Sequence, residues 1–160
     1  MAENLFFRDY AKKVREDGGT TVHAITAWQR LCQDKQISIP MMSKTGLYLS
    51  GSHQGSTKVF RVAEDGKVCE EIFDSKMVTG KADFSEDDRS LVFVSRAEDA
   101  ESHKTADAVF LADLPNNRIK TIYYGSAGGP LFFPGFLTEN RIVIYERAKI
   151  IVLERARAIN

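Results

Sequence analysis

The 160-residue chain has only two cysteines, Cys32 and Cys69. There is no C-x-x-C, no C-x-x-C-H and no Cys/His cluster, which excludes zinc, dithiol and c-type haem motifs. In an oxidising compartment the two thiols would form a disulfide contributing about 2–4 kcal/mol, and in a reducing one they stay free. Both readings stand. No run approaches the roughly 18 apolar residues of a membrane-crossing helix. Leu5-Phe6-Phe7 meets charge at once and is too short for the apolar part of a secretory signal. Such a chain is cytoplasmic, has lost a signal, or is part of a longer polypeptide. Neither sign of charge dominates: 22 basic residues balance 22 acidic ones. That argues against a nucleic-acid or anionic-membrane coat, which needs a net basic face.

What is present changes character along the chain. Leu5, Phe6, Tyr10 and Val14 fall at helical spacing, and Gly18-Gly19 ends that segment. Thr20 or Thr21 caps a second helix through Val22, Ile25, Trp28, Leu31 and Cys32, whose apolar stripe needs a surface to cover. Residues 1–36 therefore read as a helical segment that caps the remainder.

From residue 37 the period shortens to that of strands. Expected strands are Leu47–Ser50, Thr57–Val62, Val68–Phe73, Leu91–Ser95, Ala108–Ala112, Ile119–Tyr124, Ile142–Glu146 and Lys149–Leu153, separated by polar turns. The stretch Arg96–Asp107 has no apolar period and is expected as one exposed loop.

A repeat organises these strands. Ile39-Pro40-Met41-Met42-Ser43-Lys44-Thr45-Gly46-Leu47-Tyr48 aligns with Lys81-Ala82-Asp83-Phe84-Ser85-Glu86-Asp87-Asp88 and with Phe133-Pro134-Gly135-Phe136-Leu137-Thr138-Glu139-Asn140. Each copy is an extended segment, a turn and an apolar strand, followed by another strand. The first two copies add a fourth. Four antiparallel strands at a period of about 40–50 residues are the plan of a propeller blade, whose sheet is covered only by stacking on its neighbours. The expected blades span about 39–74, 80–125 and 129–160, within 37–160.

Phe84-Ser85-Glu86-Asp87-Asp88-Arg89-Ser90-Leu91-Val92-Phe93 resembles the Pro-x-Phe-Ser-Pro-Asp-Gly-x-x-Leu-x-Phe repeat of TolB-like propellers, a WD40-like repeat of the PD40 type. Phe110-Leu111-Ala112-Asp113-Leu114 looks like its third strand. Bacterial proteins carrying such repeats are similar over Pro40–Lys44, Thr57–Phe60 and Thr79–Ser85. Only the first copy keeps the turn glycine, and the third has Leu137 in place of the serine and no evident fourth strand.

The fold class expected is mainly β: about three four-stranded antiparallel blades, an incomplete array, preceded by two short helices. The resemblance implies a periplasmic, envelope-associated, non-catalytic module that binds a protein, a peptide or further blades. Propellers of this kind also accompany peptidases, so a non-catalytic fragment of a larger enzyme or redox protein is the alternative. A homo-oligomer is allowed, since three blades doubled match a six-bladed ring, although capping or truncation accounts better for the amphipathic helices. No nucleic acid, cofactor or transmembrane segment is expected.

No residue is singled out as catalytic, cofactor-binding or metal-ligating. His23, His53 and His103 occupy unrelated contexts and read as solvated. Ser50–Ser56 lacks the lysine and helix of a phosphate-binding loop and reads as a hairpin connection. No G-x-S-x-G elbow occurs. Glu86, Asp87 and Asp88 have the chemistry of calcium ligands, but they align with the repeat's turn. Gly125–Pro130 reads as a link between blades, and Glu98–Lys104 as a rim connection suited to a partner.

Overall fold

The computed structural model describes residues 36–62, 69–77, 79–98, 101, 103, 105–125, 131–146 and 148–155. The two expected helices, Cys32 and His23 lie outside the described residues, as does most of the Gly125–Pro130 link. Within the described part the chain is mainly β, with eleven strands in three antiparallel sheets. The first sheet holds β1 (Ser38–Met42), β2 (Tyr48–His53), β3 (Ser56–Val62) and β4 (Cys69–Asp74). The second holds β5 (Thr79–Phe84), β6 (Ser90–Glu98), β7 (Thr105–Asp113) and β8 (Arg118–Tyr124). The third has three: β9 (Leu131–Thr138), β10 (Arg141–Glu146) and β11 (Lys149–Glu154). Strands are neighbours in chain order in every sheet.

The middle sheet explains the unbroken apolar runs Leu91–Val94 in β6 and Ala108–Ala112 in β7. Successive side chains in a strand point to opposite faces, and both faces are covered here. Leu91 and Phe93 of β6, with Ala108, Phe110 and Ala112 of β7, pack against Val59 and Phe73 of the first sheet. Val92 and Val94, with Val109 and Leu111, pack against Ile142 and Ile144 of the third. Phe93 and Phe110 stack with ring centres 5.5 Å apart. Each buried Val, Leu, Ile or Phe among them contributes about 1.5–3 kcal/mol, so the sheet interfaces hold the array together.

The turn between the first two strands is the same object in sheets one and two. Ser43 N–H donates to Tyr48 O (2.9 Å), and Ser85 N–H donates to Ser90 O (2.9 Å). The serine hydroxyl oxygens accept from Tyr48 N–H (3.2 Å) and Ser90 N–H (2.9 Å). Thr45 or Asp87, two residues after the serine, accepts the N–H of Leu47 or Arg89. The next residue is left-handed in both copies, Gly46 (φ 75°) and Asp88 (φ 58°). The β2–β3 hairpin closes through Gln54-Gly55, both at positive φ, the turn whose twist suits a two-residue hairpin.

Two expectations are corrected. Arg96–Asp107 is not a single loop: the β6–β7 ladder continues through Arg96↔Asp107, Ala97↔Ala106 and Glu98↔Thr105. Backbone pairing needs no apolar side chains, and Arg96 and Glu98 project into solvent. Ser50–His53 likewise belongs to β2 rather than to a connection, leaving only Gln54-Gly55 as the turn.

Candidate functional site

The first strand of each sheet lies at one side of the array, β1 beside β5 and β5 beside β9. A cavity of about 370 Å³ opens between them, lined by Ile39, Pro40, Met41, Lys81, Ala82, Asp83, Phe133, Pro134 and Gly135. These nine residues are the same three positions of each repeat. Ladder register fixes the equivalence: Met41 pairs with Ser50, Asp83 with Val92 and Gly135 with Val143.

All three inner strands break register beside these residues, between Ser38 and Met41, between Thr79 and Ala82, and where Phe133 is skipped between the Pro134 and Phe132 pairings. A bulge bends the strand and re-aims the side chain at the break. Ile39 (φ 54°) and Phe133 (φ 45°) are left-handed there, a costly backbone state for bulky residues. Their side chains stay 51% and 58% exposed, so solvent burial does not compensate that cost.

The walls are apolar, with two charges set into them. Lys81 Nζ lies 3.0 Å from the centre of the Phe133 ring, a cation–π contact between neighbouring sheets. Asp83 Oδ2 accepts the N–H of Phe136 at 2.8 Å, tying β5 to β9. Burial pushes the Asp83 carboxyl up, against the pull of the Phe136 and Phe84 N–H groups and of Lys44. Gly135 leaves room beside that carboxylate, since a Cβ there would sit 3.6 Å from Asp83 Oδ2. Pro40 and Pro134 in the lining carry no backbone N–H.

The residues weighed from sequence lie elsewhere. His53 is half-buried with its ring edge toward Phe60 at 6.2 Å. His103 Nδ1 meets Glu98 Oε1 at 3.0 Å on the exposed tip of the β6–β7 hairpin, away from the cavity. Asp87 is held by the Ser85 hydroxyl (2.6 Å), and Asp88 accepts the Thr45 hydroxyl, joining the first two turns. Among the described residues no three His, Cys, Asp or Glu side chains converge. None of the nine lining residues was singled out from sequence, because Ile39, Lys81 and Phe133 share no chemistry. The signal available was their place in one column of the repeat.

No protein-family model and no curated sequence matches the chain. Among solved structures, the β-propeller domain of Cps50 (Swd1) from Myceliophteria thermophila aligns at a TM-score of 0.56 with 8% identity, over 75% of this chain and 41% of that one. An oligogalacturonate lyase in complex with manganese aligns at 0.55 with 12% identity, over 72% and 36%. A protein assigned as TolB from Agrobacterium tumefaciens shares 27% identity over 54% of this chain and 34% of its own, at a TM-score of 0.37. The first two likenesses show the fold: the three sheets are β-propeller blades. The chain spans about two fifths or less of the structures it matches.

Proposed function

We propose that the chain is a non-catalytic interaction module of the TolB-like propeller kind, holding a protein or peptide segment in the cavity between its inner strands. The observation that carries this reading is the repeated bulge, which presents Ile39, Lys81 and Phe133 toward one space. Apolar walls with one ammonium and one carboxylate suit an extended segment bearing an apolar side chain beside a charged group. The Ser-x-Asp turn of the second blade, with its hydrogen bonds, supports the TolB-like repeat. Neighbours by fold include a lyase, so a second reading keeps the chain as the non-catalytic part of a larger propeller enzyme.

Selection of phage-displayed random peptides on the purified chain tests the proposal. Enriched peptides are expected to lose at least tenfold in affinity for Phe133→Ala and for Lys81→Glu, and to bind Arg118→Ala unchanged. Enrichment of none, or of peptides indifferent to both cavity variants, would refute it.

A further inference from the structure

Three ladder pairs, Leu49↔Phe60, Leu91↔Ala112 and Ile142↔Leu153, hold the same place in their sheets. Leu91 and Ala112 pack toward Val59 and Phe73 of the first sheet, and Ile142 and Leu153 toward Val92 and Leu111 of the second. Each of these pairs faces the sheet that precedes it in the chain. Leu49 and Phe60 accordingly face the side on which a blade before the first would stand.

That side is closed. Leu49 is 0% and Phe60 1% exposed, yet among the described residues neither belongs to a sheet interface. What the described residues place beside the first sheet is the second, on the face of Val59 and Phe73. Neighbours in a strand alternate between faces, so Val59 and Phe60 do not share one. No second chain is present, and the cover therefore belongs to the same polypeptide.

The next pair along marks where the cover enters. Two residues on, the second and third sheets have Phe93↔Phe110 and Ile144↔Ile151, all apolar, whereas the first has Gly51↔Lys58. A Cβ on Gly51 would lie 2.2 Å from Ile37 Cγ2, so buried Ile37 fills the volume that the missing side chain leaves. Gly51 shares the face of Leu49. Ile37 immediately precedes β1, and the chain thus reaches β1 across that face. Lys58 keeps its charge paired there, with Glu71 at 2.9 Å and Asp74 at 3.5 Å.

We propose that the N-terminal apolar stripe of Val22, Ile25, Trp28 and Leu31 covers the Leu49 and Phe60 face, in the place a preceding blade would take. Residues 1–35 lead directly into Gln36 and Ile37, and every other stretch outside the described residues is six residues or shorter. The opposite positions His23, Gln29, Arg30 and Gln33 are polar, as the solvent side of a terminal cap must be. The first sheet is then the closed end of the array. A ring of two chains joined head to tail would have to displace the cap. This surface is separate from the inner cavity and stands whether or not that reading does.

Trp28 is the single tryptophan, so its fluorescence in the full chain reports the cover directly. Acrylamide is expected to quench the native chain about threefold less efficiently than the urea-unfolded one, as for a buried indole. Phe60→Ala is expected to restore most of that quenching. Ile144→Ala, which opens an equally buried site between the second and third sheets, is expected to leave it unchanged. Ile25→Asp alters the stripe and no described residue. It is expected to free Trp28 and to create a site for an anilinonaphthalene dye while the far-ultraviolet β signal persists, and it decides the matter should Phe60→Ala unfold the chain. Full quenching of the native chain, equal effects of Phe60→Ala and Ile144→Ala, or an Ile25→Asp chain unchanged in both readouts would overturn the proposal.

Discussion

Ser85→Ala is expected to destabilise the chain more than Ser43→Ala, although the two serines occupy the same place in their turns. Ser85 is fully buried, and its hydroxyl accepts Ser90 N–H at 2.9 Å while donating to Asp87 at 2.6 Å. Ser90 is buried as well. Alanine would leave its N–H without an acceptor and beyond the reach of water, a loss of about 1–3 kcal/mol. Asp87 would keep the Arg89 N–H at 3.0 Å and is exposed, so its own loss is small. Around Ser43 the corresponding Tyr48 N–H is 3.2 Å away, and Tyr48 is half-buried. Water can replace the hydroxyl there, and the cost falls to about 0.5–1.5 kcal/mol. Urea unfolding of the two variants measures this directly. With a slope of about 2 kcal/mol per molar, a 2 kcal/mol loss moves the midpoint by about 1 M. Equal shifts, or a larger one for Ser43→Ala, would refute the claim that burial of the turn sets its energetic weight.

Gly51→Ala is expected to cost about 1–3 kcal/mol by overpacking, because a Cβ there would lie 2.2 Å from Ile37 Cγ2 and 3.2 Å from Ser38 O. In thermal unfolding, adding Ile37→Ala should recover part of that loss, and strictly additive losses would count against the steric account. Two carboxylates predict opposite slopes of stability with pH. The Asp74 carboxyl lies well below the ordinary range: burial opposes this, but the Lys76 side chain and N–H, the Ser56 hydroxyl and Lys58 together outweigh it. Its contribution is complete above an unfolded value near 4 and fades as pH falls toward the folded value. Asp74→Asn should therefore flatten the acid limb of melting temperature against pH. Asp83 is raised by burial, so stability declines as pH rises from about 4 through its folded value. Asp83→Asn retains an acceptor for Phe136 N–H and should remove that decline; an unchanged profile in either variant would exclude the carboxyl as its source.

The repeat was legible because its determinants are local. A serine, an oxygen-bearing residue two places on, a left-handed position and an apolar strand are each visible in Ser43–Leu49 and Ser85–Leu91. The continuation of β6 and β7 past Ser95 was not, since the exposed Arg96, Glu98 and Thr105 belong to a ladder held by backbone pairing, which needs no apolar side chains. The cavity was hidden for a related reason. Its residues were aligned in one column, yet Ile39, Lys81 and Phe133 look unrelated, and what unites them is a register break that exists only once strands are paired. The adjoining columns behave differently. Met42, Phe84 and Phe136, one step along each inner strand from Met41, Asp83 and Gly135, are all apolar, and Phe84 and Phe136 pack into the sheet interfaces. The side chains at the bulge leave those interfaces for the shared cavity, and packing no longer dictates their type. Chemical uniformity in the core column beside diversity in the cavity columns follows: apolar packing selects the residue type at Met42, Phe84 and Phe136, whereas contacts as different as Lys81 on the Phe133 ring and Asp83 on the Phe136 N–H join the inner strands at the cavity.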